Sequence, residues 1–122
     1  MCALPEVELY SRLTGWVKAG FEYAHADVFV GMRFPVLFEQ AGFRNVGTLG
    51  LQVYCPPTSP HVVAYIVAAV RTMKDAIVNS GVTTEEEIGL DTLEQRLGEA
   101  IMSANAVFSL PTLVGGWGHR PQ

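Results

Sequence analysis

The sequence predicts an α+β fold with four helices and two strands in the order α-α-β-α-α-β. Three observations carry this prediction. Apolar residues recur every three to four positions in four separate stretches, the hallmark of helices with one buried face. The period then drops to two at Leu49, Leu51 and Val53, as in a half-buried strand. A β-branched, apolar run from Val107 to Gly118 supplies the second strand. With 122 residues the chain fits one domain, residues 1–122, and can bury a single core.

The first helix is expected over 5–24. Pro5 suits a first helical position, Glu6 and Glu8 suit the first turn, and Tyr10, Leu13, Val17, Phe21 and Ala24 form its stripe. Leu9 and Trp16 widen that stripe, while Gly15 and Gly20 weaken the helix. A polar turn, His25 to Asp27, leads to a second helix over Met32 to Ala41. Pro35 is tolerated there only within a first turn, and Gly42 closes the helix as a left-handed residue. The first strand, 46–54, stops at Cys55-Pro56-Pro57. Ser59 before Pro60 then opens a third helix that runs to Asn79 and ends at Gly81. Thr83 and Thr84 ahead of Glu85-Glu86-Glu87 form a capping box for a fourth helix reaching Ser103. Pro111 interrupts the last strand and confines that position to an edge or a bulge.

The third helix is apolar over most of its circumference. Val62, Ile66, Val70, Met73 and Ile77 make one stripe, and Val63 and Val67 extend it. Such a helix is buried on several sides, or it meets a ligand or another chain.

Composition narrows the partners. Twelve acidic against eight basic residues give a net charge of −4. With no basic run, nucleic acid and anionic membranes are not expected as partners. The longest apolar run, Val62 to Val70, is far too short to span a bilayer. Met1 to Glu6 lacks the basic and apolar regions of a signal peptide. Two cysteines, Cys2 and Cys55, make no scaffold or CxxC motif, and a reducing cytoplasm is the expected location.

Two regions bring the residues close to a known family. One runs from Leu4-Pro5-Glu6-Val7-Glu8-Leu9-Tyr10 through Leu13, Trp16 and Gly31-Met32-Arg33-Phe34-Pro35 to Ala41-Gly42-Phe43-Arg44-Asn45-Val46. The other is Pro111 to Pro121, with its Trp117-Gly118-His119-Arg120-Pro121 ending. Together they resemble the C-terminal portion of class I S-adenosylmethionine-dependent methyltransferases that act on small molecules. The resemblance implies that the two strands pair antiparallel as a two-stranded sheet with one edge of the last strand open. A second copy is then expected to extend that sheet, giving a homodimer. It also implies that helices one and three cover an acceptor pocket, in which Tyr10, Trp16, Phe21, Tyr65 and Met73 line a site for a small apolar or aromatic ligand.

The sequence departs from this family in one respect. No Gly-rich turn follows a strand and opens a helix, because Gly115-Gly116-Trp117-Gly118 has no helix after it. Those glycines instead suit the packing of Trp117 across a strand. No cofactor-binding residue carries over, and no cofactor is expected. The chain is expected to be non-catalytic on its own. The alternative is the acceptor-binding half of a split methyltransferase that needs a partner chain for its cofactor site.

The remaining polar groups suggest no catalytic or metal site. His25 and Asp27 share a turn, His61 lies at the start of helix three, and His119 lies near the C-terminus, where it is expected to be exposed. Cys55 and His61 would have to converge to about 3 Å to act as nucleophile and base. Glu85-Glu86-Glu87 compensates a helix dipole, and no His/Cys set has zinc spacing.

Overall fold

The computed structural model describes residues 1–122. In chain order the elements are β1 (Ala3–Leu4), α1 (Glu8–Tyr23), α2 (Val30–Gln40), β2 (Arg44–Leu51), β3 (Tyr54–Cys55), α3 (Pro60–Asn79), α4 (Glu85–Ile88), α5 (Leu90–Ser103), β4 (Val107–Ser109) and β5 (Leu113–His119). The fold is mixed α+β, and its two-stranded antiparallel sheet is β2–β5. A second sheet has the order β1-β4-β3. No helix is long and apolar enough to cross a membrane. The chain falls into two compact units, residues 1–26 with 54–110 and residues 27–53 with 111–122.

The first unit has a closed core. Its buried side chains include Tyr10, Leu13 and Trp16 from α1, Val63, Ile66, Val67, Val70 and Ile77 from α3, and Leu93, Leu97 and Ile101 from α5. Helix α3 lies between the other two, packing against α1 and α5. Phe108 of β4 meets the Tyr10 ring edge-on at 5.7 Å. β4 is paired on both sides, with Ala3 and Cys55 each opposite Phe108.

Several local expectations give way to these longer-range pairings. Helix α1 begins at Glu8 and not at Pro5, because Ala3 and Leu4 are drawn out as a strand against β4 and Val7 is extended. The expected fourth helix is broken. Thr84 Oγ1 accepts from the Glu87 amide, but Gly89 at φ +58° ends the first turn after Ile88, and α5 starts anew. Arg96 Nη2 donates to the carbonyls of Ile88 and Gly89 at 2.6 and 3.0 Å, tying the break to the body of α5. Helix α3 has the expected limits, with Pro60 at its start and Gly81 at φ +82° beyond its end. Ser59, however, donates its hydroxyl to Pro56 O and makes no side-chain cap.

The second unit is one helix on a two-stranded sheet. Helix α2 ends in a Schellman motif: Gly42, at φ +89°, donates to Glu39 O, and Phe43 donates to Phe38 O. Pro35 lies in the second turn of α2, not the first as expected, because the helix starts at Val30. The first strand is 44–51 and not 46–54, with a bulge between Arg44 and Gly47. The expected strand over 107–118 is split at Pro111. Its first part joins the β1-β4-β3 sheet, where both edges are paired, and only β5 pairs with β2.

Glycines let α2 approach this sheet closely. A Cβ on Gly116 would lie 2.8 Å from Phe38 and 2.9 Å from Phe34, whose rings stack at 5.6 Å. Val114, Gly116 and Gly118 therefore face the helix side, meeting Gly31, the two phenylalanines and Phe43. Leu113, Gly115 and Trp117 alternate to the opposite face, with Leu51 opposite Leu113 and Leu49 opposite Gly115. Trp117 lies across Gly47, its cross-strand partner, where any Cβ would overlap the indole.

Glycines in α1 test this packing logic within one helix. Gly15 has open space where a Cβ would go, whereas a Cβ on Gly20 would meet Ile77 at 3.0 Å and Met73 at 3.1 Å. Gly15→Ala is expected to stabilise the fold by roughly 0.5–1 kcal/mol through lower chain entropy. Gly20→Leu is expected to cost about 1–3 kcal/mol by overpacking. Urea denaturation followed by far-UV circular dichroism checks both signs.

Candidate functional site

The α1–α3 contact positions the candidate site. Gly20 lets the backbone of α1 come within reach of Met73 and Ile77, so the two helices are held close near the end of α1. Just outside this contact lies a shallow apolar groove of about 450 Å³, lined by Phe21, Tyr65, Ala68, Ala69, Thr72 and Met73. Tyr65 is 67% exposed. The Thr72 hydroxyl donates to Ala68 O at 3.0 Å, which leaves the Tyr65 hydroxyl as the free polar group at the rim. Such a groove favours flat or aliphatic groups and offers one hydrogen bond for orientation.

Of the five aromatic and Met residues expected at a ligand site, the structure brings together Phe21, Tyr65 and Met73. The other two lie in the core. Tyr10 is fully buried and donates its hydroxyl to Ser109 O at 2.6 Å. Trp16 is also buried, with the Arg12 guanidinium 5.4 Å from its ring. Ala68, Ala69 and Thr72 were not singled out in the sequence. The signal was available, because Tyr65, Ala68, Ala69 and Thr72 recur at helical spacing on one exposed side of α3.

The polar groups of the sequence have structural work. The Asp27 carboxylate accepts from the Phe29 amide at 2.9 Å and pairs with Arg33 at 3.0 Å. Glu85 pairs with Lys74 at 3.0 Å, and Glu87 accepts from Thr83 at 2.8 Å. No three His, Cys, Asp or Glu side chains converge as a metal site. Cys55 is buried, and burial pushes its thiol upward, away from the reactive thiolate. His61 is exposed in the first turn of α3.

Tyr10 makes a prediction about pH. Burial first, and then the Cys55 and Cys2 thiols, push its hydroxyl up from 10.0 to about 12. Between these values the unfolded chain releases the proton and the folded chain keeps it. The stabilisation is complete below pH 10 and is lost as pH rises toward 12. Tyr10→Phe is expected to cost about 1–3 kcal/mol at neutral pH and to remove this part of the alkaline decline. Denaturant titrations at stepped pH check both effects.

Comparison with family models, curated proteins and solved structures returns no match for this chain.

Proposed function

We propose that this chain is a non-catalytic, methyltransferase-derived domain that works as a homodimer and holds a small apolar or aromatic ligand in the α1–α3 groove. The observation that carries the dimer is the state of the second unit. None of residues 27–53 or 111–122 is buried. On the face away from α2, Leu49 is 67% exposed, Leu51 57%, Leu113 58% and Trp117 54%. Units of about 40 residues usually need oligomerisation, a metal or disulfides to be stable, and both cysteines are free and in the other unit.

The edge of β5 supports the same reading. Between Leu113 and Gly118 it carries no charge and no proline, the devices that keep edge strands from pairing. Its other edge is bonded to β2. A second copy paired along β5 extends the sheet. The antiparallel β2–β5 pairing agrees with the methyltransferase resemblance for residues 113–119, while 107–109 joins the other sheet. Free thiols at Cys2 and Cys55 suit a reducing cytoplasm.

The same bare face favours a second reading, an acceptor-binding half that docks onto a chain carrying a cofactor-binding sheet. Self-association separates the two. The homodimer reading predicts a dimer at tens of micromolar in sedimentation velocity. Leu49→Lys with Leu113→Lys is expected to weaken it tenfold or more, about 1.4 kcal/mol, while the closed core of the first unit stays folded. A wild-type monomer contradicts the homodimer and leaves the split-enzyme reading.

The groove is tested independently of the dimer. A thermal-shift panel of apolar aromatic compounds is expected to raise the midpoint for some members. Tyr65→Ala and Met73→Ala are expected to abolish those shifts while leaving the dimer in place. A panel that moves nothing removes the ligand from the proposal.

A further inference from the structure

The first unit is strongly acidic, with ten Asp and Glu against five Lys and Arg, whereas the second has three basic and two acidic residues. The acidic side includes a second groove, of about 440 Å³, between α5 and the 57–60 segment that leads into α3. Its apolar lining comes from Pro57, Val63 and Met102. Gly98 leaves it open, since a Cβ there would meet nothing within 4 Å. Glu94 and Glu99 stand at its margin, and no Lys or Arg lines it. Glu94 has no ion-pair partner, and Glu99 accepts only from Gln95, at 3.0 Å. Arg96, the one cation on α5, is turned to the carbonyls of Ile88 and Gly89 and does not neutralise them.

The second unit carries the complementary chemistry. Trp117 is half exposed on the bare face, and beyond it β5 ends at His119, which lies opposite Arg44. Arg120 follows, and neither Arg44 nor Arg120 has an acidic partner. This end of the sheet therefore combines a large apolar ring with two unpaired guanidinium groups.

We infer that the groove between α5 and the 57–60 segment receives the Trp117–Arg120 segment of a second copy, with apolar contact at Met102 and Gly98 and charge pairing to Glu94 and Glu99. The inference rests on the homodimer reading and identifies a contact within that dimer. A twofold arrangement makes the contact twice, because each copy offers one groove and one basic segment. Arginine suits it, since its planar fork pairs with carboxylates and its face stacks on apolar surface.

The test uses the full chain in a Cys2→Ser background. A Gly98→Cys chain mixed with a Gln122→Cys chain is expected to form a mixed disulfide under mild oxidation, at least tenfold faster than either chain alone. Glu94→Lys with Glu99→Lys is expected to weaken the dimer tenfold or more. Adding Arg120→Glu to that chain is expected to restore most of the loss. Circular dichroism of these variants reports the helical core of the first unit separately. A dimer that ignores the charge variants but yields to Leu49→Lys with Leu113→Lys overturns this contact and leaves the homodimer standing. A wild-type monomer overturns the homodimer itself. Loss without rescue by Arg120→Glu also overturns the pairing, because the acids then act on some other partner surface.

Discussion

One helix can cover only one face of a two-stranded sheet, and the second unit of this protein is built under that constraint. Helix α2 sets Phe34 and Phe38 on Gly116 and meets Val114 at Gly31, so the helix side of β5 is closely filled. The strand alternation that places Val114, Gly116 and Gly118 under the helix must turn Leu113 and Trp117 the other way. Nothing in this unit lies over them, and they remain more than half exposed. Their exposure is therefore a consequence of strand geometry, and any cover for them comes from outside the unit.

The first unit meets the opposite condition. Four helices, one of them the single turn α4, and a short three-stranded sheet enclose a core whose buried side-chain nitrogen and oxygen atoms all have partners. Tyr10 joins α1 to β4 through its bond to Ser109 O, and the Ser109 amide donates to Cys2 O at 2.8 Å. A closed core of this kind leaves no large apolar face of its own helices to cover. The α1–α3 groove and the acidic groove beside α5 both lie on that unit.

Much of the fold was legible because it is locally encoded. Pro60 and Gly81 mark α3, Gly42 closes α2, and Thr84 caps the turn ahead of Ile88. The failures share a physical cause, which is pairing between residues distant in sequence. Nothing near Ala3 announces that it will lie opposite Phe108, and that pairing displaces the start of α1. Pro111 on local grounds marks an edge or bulge within one strand, yet it separates two strands that belong to different sheets. Gly89 was hidden in a helical pattern that continues on both sides, and only its positive φ shows the break. For the groove, the expectation drawn from the methyltransferase resemblance joins Phe21, Tyr65 and Met73 to Tyr10 and Trp16. Spacing alone could not distinguish an aromatic at the rim from one in the core, since both belong to the same stripe.

The central claim is that the α2–β2–β5 unit owes its stability to a second copy. Hydrogen–deuterium exchange of the β2 and β5 amides, measured over a series of protein concentrations, addresses it most directly. Protection in Leu113–His119 is expected to rise with concentration while protection in α3 stays constant. Protection of β5 that is strong and independent of concentration would contradict it.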